Sequence, residues 1–384
     1  MSRFFDYKVN NIEFREAFVI AKRIISDILS LNNDYLDDNE ITILNNYKKE
    51  LKSINDILDD DSYDIERQIS DDLLSPENVE YCFKNNKYKD NASSLGEKIN
   101  KLFMRVFEIE DEVQILISKK WNKLLTPFEE LENGKPFTIV GHSGCGFISL
   151  PGYVGYIDNE YNNTETISCS IFTDKDVNCF NSNLVMVFDI NESNYISSAP
   201  FDTVTRKTGS STKSVRNIKN IDNEKSIDAG FMHNYNSEKV VTKVVDPQEI
   251  INTINNRNDR TINETLLYKK NCTPKGLVLF TNGIDIPLIN YIHAKDMMNV
   301  YNIDLKVINV LVNENQPIDY NHIDELLKNQ IEILKNANMS DEKIILLLDE
   351  FIENVIKKSI SNKELLNYII DSINNYKSDN KKVY

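Results

Sequence analysis

A histidine, a serine and several glycines stand together at Phe137-Thr138-Ile139-Val140-Gly141-His142-Ser143-Gly144-Cys145-Gly146. A short apolar β-type run delivers the imidazole and the hydroxyl to a turn. Its glycines let backbone approach a ligand, since glycine tolerates φ > 0 and has no side chain in the way. Two further groups follow in chain order. Ile167-Ser168-Cys169-Ser170-Ile171-Phe172 reads as a strand with hydroxyls at alternate positions, both on one face. Asn263-Glu264 then offers a carboxylate just ahead of Leu266-Leu267-Tyr268. His142 and Ser168 are 26 residues apart, and Ser170 and Glu264 are 94 apart.

Two chemistries compete for the turn. Gly141-His142-Ser143-Gly144 fills the first four places of G-x-S-x-G, the strand-to-helix elbow on which α/β-hydrolases present a nucleophilic serine. The fifth place is Cys145, and Phe147-Ile148-Ser149-Leu150-Pro151-Gly152 does not read as the opening of a helix. A serine hydrolase using Ser143 is therefore the third reading. The other chemistry joins His142, the Ser-x-Ser strand and Glu264 as one constellation.

That order resembles the ADP-ribosyltransferase fold, over roughly Lys135 to Val312. The resemblance implies that His142 orients NAD through a ribose hydroxyl. It implies that Ser143 and Gly144 line the nicotinamide site, that Ser168 and Ser170 brace the pocket, and that Glu264 is the catalytic carboxylate. NAD would be the substrate, cleaved at its N-glycosidic bond through an oxocarbenium-like transition state. A fixed carboxylate in a water-poor cleft stabilises such a cation. A strand ending at Ser198-Ala199-Pro200-Phe201-Asp202 and a strand–helix–strand tail at Leu277–Val310 belong to the same layout. Cys169 stands where the family has Thr, and Ile262 stands two places before Glu264, so arginine-specific transfer of the Glu-x-Glu type is not implied.

Each group also has a structural explanation. A strand-end His can be a satisfied core residue, Ser168 and Ser170 the polar side of a half-buried strand, and Glu264 a surface residue at a strand start. Asp189 and Asp202 read as turn or cap residues. His233, His293 and His322 show no partner pattern.

The elements that must position these groups follow from periodicity. Residues 1–128 carry three helical stripes, the third running from Ile99 through Phe103, Phe107 and Val113 to Trp121. Short β-type runs come after Pro127: Phe137–Val140, Thr166–Phe172, Leu184–Phe188, Val240–Val245, Leu277–Phe280 and Leu305–Val312. Asp246-Pro247-Gln248-Glu249 reads as a helix start, with Asp as N-cap, Pro first and Glu three places after the cap. Leu277 onward predicts a βαβ unit with its helix over Leu288–Val300. Helical stripes return at Ile323–Leu334, Ile344–Ile356 and Leu365–Ile373, with Lys377–Tyr384 frayed. A polar stretch at 205–239, containing Arg206-Lys207-Thr208-Gly209, reads as a loop, either a solvated insertion or a lid facing an anionic ligand.

Composition narrows the classes. With 41% hydrophobic and 27% charged residues, 384 residues suffice for several domains with packed cores. A net charge of −16 gives no strong case for nucleic acid, whose phosphates call for a basic surplus. Five cysteines without CxxC spacing read as free thiols, and four histidines without HExxH leave no metal site to expect. No apolar run approaches the roughly 18–20 residues of a membrane span. The first apolar segment, Phe18–Ala21, is interrupted by Lys22 and Arg23. The expected location is the cytoplasm, or delivery without a classical N-terminal signal peptide.

The expected fold is α+β: an N-terminal helical region (1–128), a mixed α/β domain of ADP-ribosyltransferase type (129–318) and a C-terminal helical region (319–384). The expected function is ADP-ribosyl transfer or NAD glycohydrolysis by a bacterial effector or toxin, with NAD and an unidentified acceptor, protein among the candidates, as partners. A non-catalytic interaction protein with a degenerate site on the same fold is the alternative.

Overall fold

A computed structural model describes residues 13–60, 91–143, 166–177, 183–200, 244–256, 263–268, 271–281, 286–310, 319–360 and 362–381. These residues mix helices with seven strands, compatible with the α+β class. They fall into two compact units, each drawn from several stretches of chain. One comprises Met1–Leu124, Ile190–Asn256 and Asn263–Tyr268; the other comprises Leu125–Asp189, Arg257–Ile262 and Lys269–Tyr384.

The first unit begins with α1 (Glu13–Ser30), α2 (Asp38–Asp60) and α3 (Asn91–Leu124), which pack on one another. Ile24, Ile28, Leu44, Leu51, Phe103 and Phe107 are buried at their meeting. These side chains recur at helical spacing, and removing them from water is the main force holding the helices together. Ahead of α2, Asp37 and Glu40 cap each other: the Glu40 amide donates to the Asp37 carboxylate at 2.9 Å and the Asp37 amide to the Glu40 carboxylate at 3.0 Å. Strands β4 (Tyr195–Ala199) and β5 (Glu264–Tyr268) pair antiparallel in the same unit. Helix α4 (Pro247–Asn256) opens as the sequence predicts, with the Gln248 amide donating to the Asp246 carboxylate at 2.9 Å.

A buried charge ties this unit together. Lys120 of α3 is 1% exposed, and its ammonium donates to Asp246 at 2.6 Å and to Asn32 Oδ1 at 2.7 Å. Asp246 thus caps α4 and neutralises Lys120 at once, which makes the burial of both tolerable.

In the second unit five strands run in the order β2 (Thr166–Thr173), β1 (Thr138–His142), β3 (Leu184–Phe188), β6 (Pro274–Thr281), β7 (Leu305–Asn309). All pairings are antiparallel except β6 with β7, which is parallel. Parallel pairing needs a crossover, and α5 (Leu288–Tyr301) supplies it, packing on β6 and β3. The βαβ reading of this stretch therefore holds.

One face of these strands carries Ile139, Phe172, Val185, Val187, Val278 and Phe280. The 3-10 turn Phe128–Glu130 brings the Phe128 ring over this face against Gly276, where a Cβ would lie 2.1 Å from the ring. Helices α6 (Tyr320–Asn336), α7 (Asp341–Phe351) and α9 (Lys363–Lys381) follow. A π-helical turn, Ile352–Ile356, and the short α8 (Lys357–Ser359) separate the last two.

Three local expectations change. Residues 377–381 continue α9, so this part of the tail is helical, not frayed. Leu346, placed on a core stripe by spacing, is 59% exposed. The run at Val240–Val245 is described only from Val244, which lies in a turn ahead of α4, and residues 205–239 lie outside the described residues. Among the described residues no helix is long and apolar enough to cross a membrane.

Candidate functional site

His142 ends β1, a strand made by the β-branched run Thr138-Ile139-Val140. Gly141, just before it, pairs with Ser170 on one side and Val187 on the other. A Cβ at Gly141 would stand 2.3 Å from Val185 Cγ1 and 2.7 Å from the Met186 carbonyl oxygen. Gly141 is therefore required by the crowding of β3. The sequence reading starts the glycine-rich turn at Gly141, and the residue is instead an ordinary strand position.

The His142 ring is buried, with Nδ1 2.7 Å from the Ser168 carbonyl oxygen of β2. A carbonyl only accepts, so Nδ1 carries the hydrogen, and in the neutral ring Nε2 holds the lone pair. One tautomer and one ring orientation are thereby fixed by backbone.

Side chains alternate along these strands, and the register decides who faces whom. Ser168 and Ser170 share a face, as the spacing predicts, together with Gly141, Ile139 and Phe172. His142 lies on the opposite face with Cys169 and Ile171. The histidine thus meets the Ser-x-Ser strand through the backbone of Ser168, while both hydroxyls point to the other side. Ser170 is buried, Ser168 half-buried, and Cys169 is a buried thiol. Ser143 follows β1 and is half-buried. Gly144 and all of 144–165 lie outside the described residues.

Glu264 belongs to the other unit, where it is the first residue of β5 and is paired with Ala199. It is 4% exposed, and Asn263 beside it is 3% exposed, so it is a buried carboxylate and not the surface residue that a strand start often carries. On the opposite face of β5, Thr265 Oγ1 and Ser198 Oγ lie 2.9 Å apart, both fully enclosed.

The ladder between β4 and β5 has an irregularity. Tyr195 pairs with Leu267, but Ser197 pairs with Leu266, so β4 carries one extra residue at Ile196. Gln114 of α3 reaches this point: its Nε2 donates to the Tyr195 carbonyl at 2.8 Å and to the Ile196 carbonyl at 2.9 Å. Burial pushes the Tyr195 phenol up to about 12, against the opposing pull of polar groups on Ser198 and Trp121. The phenol is accordingly neutral at any physiological pH.

Of the predicted residues, the structure joins His142 to the backbone of the Ser168 strand and sets Ser170 opposite Gly141. Sequence reasoning missed Gln114 and Thr265. A cleft of about 460 Å³ in the first unit is lined by Ser30, Asn32, Asp246, Gln248, Asn252 and neighbouring residues, none of them a predicted site residue. Among the described residues no three His, Cys, Asp or Glu side chains group as metal ligands would. Comparison with protein-family models, with curated proteins and with solved structures finds no match.

Proposed function

We propose that the protein uses NAD as a substrate, breaking the bond between nicotinamide and ribose and passing ADP-ribose to an acceptor or to water. The observation that carries this reading is Glu264, a carboxylate buried at the head of a strand. Burial strengthens its attraction for a positive charge, because little water is present to screen it. As the C–N bond breaks, its electron pair leaves with nicotinamide and the ribose carbon becomes cationic. Glu264 would stabilise that cation, and the acceptor then attacks the same carbon and loses a proton.

His142 is the second residue the reading uses. Its ring is held in place by the contact of Nδ1 with the Ser168 carbonyl, and the reading gives it the task of orienting NAD through a ribose hydroxyl. Ser143 and Gly144 would line the nicotinamide site, while Ser168 and Ser170 support the strand that holds His142. The acceptor is left unidentified, and the setting we propose is a bacterial effector or toxin.

Incubation of the purified protein with NAD, followed by measurement of free nicotinamide, tests this. Release by the wild type that is lost in Glu264→Gln is the expected result. An acceptor-dependent enzyme would release nicotinamide only when cell lysate is added, so both conditions belong to the test.

A further inference from the structure

One buried ammonium holds both stretches of chain that line the cleft of about 460 Å³ in the first unit. The first stretch is Ser30 and Asn32 at the end of α1, and the second is Asp246 with α4. Lys120 donates to Asn32 Oδ1 at 2.7 Å, to the Asn32 carbonyl at 3.2 Å and to Asp246 at 2.6 Å. The Asp34 amide donates to the same Asn32 Oδ1 at 3.0 Å. Two donors on that oxygen fix which end of the amide is which, and both Nδ2 hydrogens stay uncommitted among the described residues.

Helix α4 adds a stripe of amides. Gln248, Asn252 and Asn256 recur every fourth residue and so share one face. Gln248 Nε2 donates to Asn252 Oδ1 at 3.0 Å, and Asn256 Nδ2 donates to the Asn252 carbonyl at 2.8 Å. Each amide is thereby turned one way and keeps a group to offer: Gln248 Oε1 and Asn256 Oδ1 accept, and Asn252 Nδ2 donates. The Ser30 and Thr253 hydroxyls give their hydrogens to the Asp27 and Glu249 carbonyls and keep their lone pairs.

Charge narrows what such a lining can take. Among the described residues that line the cleft there is no cation and no aromatic or aliphatic side chain, so phosphate groups and apolar ligands meet no counterpart. The neighbouring Lys48 ammonium is turned to the Leu31 carbonyl. Lys120 neutralises Asp246, which leaves Glu249, an exposed carboxylate screened by water and worth little to a cation. What remains is a close mixture of oriented donors and acceptors without net charge. A hydroxyl both donates and accepts, so a small ring carrying several hydroxyls matches that mixture.

We propose that this cleft binds an uncharged sugar, with Asn32 and Asn252 donating to its hydroxyl oxygens and Gln248 and Glu249 accepting from its hydroxyls. The volume lies within the range of about 300–1,000 Å³ in which proteins hold small ligands. No residue of the NAD reading lines the cleft, and the sugar site stands without that reading.

Saturation-transfer NMR on the full-length protein tests the site, with glucose, galactose, maltose and xylose as probes and glucuronate and spermidine as charged controls. Saturation should reach at least one of the neutral sugars and neither control, and raising the salt concentration should leave the binding unchanged. Asn252→Ala, at an exposed position, should melt with the wild type and weaken that sugar about tenfold, the scale of one lost hydrogen bond. Asn32→Ala should weaken it at least as much. Asn45→Ala, exposed on α2 and outside the cleft, should leave the affinity as it is. Absence of transfer to all of these sugars overturns the proposal, as does a bound sugar indifferent to both cleft variants. Tighter binding of spermidine or glucuronate than of every neutral sugar overturns it as well.

Discussion

The strand pair β1–β2 and the strand pair β4–β5 present their charged or titratable side chains by different means. His142 is held by the sheet itself, through the Ser168 carbonyl on the neighbouring strand and by the crowding that admits only glycine at 141. Glu264 begins β5, and its partner strand β4 carries a bulge whose two flanking carbonyls are held from a helix, by Gln114. A side chain fixed by its own sheet should tolerate changes in distant helices. A strand pair braced from a helix should not.

The strongest way to break the helix-dependent side is to loosen α3 at its anchor. Lys120→Met leaves the buried Asp246 carboxylate without its cation and should cost about 3–5 kcal/mol, measured by urea denaturation. Lys120→Met with Asp246→Asn should recover part of that loss, because no uncompensated charge then remains. A loss below about 1 kcal/mol for the single variant would mean that Lys120 is not the anchor.

The sheet-held side breaks at Gly141. Gly141→Ala places a Cβ against Val185 Cγ1 and against a backbone oxygen of Met186, so overpacking should cost about 1–3 kcal/mol. Adding Val185→Ala should return only a fraction, since the Met186 carbonyl cannot be trimmed. Full recovery would show that side-chain crowding alone demands the glycine.

A smaller effect separates surface charge from buried polarity as the source of order among the helices. The Arg105 guanidinium, 2.7 Å from Glu50, holds that carboxyl below the ordinary carboxylate range. A carboxyl whose pKa falls on folding stabilises above its unfolded value, and the contribution disappears as pH drops through the lowered value. Arg105→Gln should therefore be less stable than wild type at neutral pH, by under about 1 kcal/mol for so exposed a pair. The two melting curves should converge toward acid pH. A gap that persists or widens in acid would contradict the shift.

How much of this was legible depends on what kind of group does the work. Strand β3 coincides with the apolar run Leu184–Phe188, and α4 starts at the predicted cap, because both are properties of a few adjacent residues. His142 at a strand end and the alternate serines could be read for the same reason. The link between them could not, since it passes through a backbone carbonyl, and carbonyls carry no letter in the sequence. Gln114 is the clearest case. It sits at an unremarkable half-buried helix position, and its two acceptors are backbone atoms 81 and 82 residues away. Leu346 fails in the opposite sense: helical spacing assigns it to a buried stripe, but which helix faces are covered depends on the neighbours that assemble around α7.

The most direct test of the central claim is nicotinamide release from NAD by the wild-type protein beside Glu264→Gln, with and without cell lysate. Glu264→Gln keeps the shape of the side chain and removes its charge, so the variant should melt near the wild type while kcat falls about a hundredfold or more. Equal release from the two proteins would remove Glu264 from the chemistry. Absence of release from the wild type, with no NAD-dependent rise in melting temperature, would contradict the NAD reading as a whole.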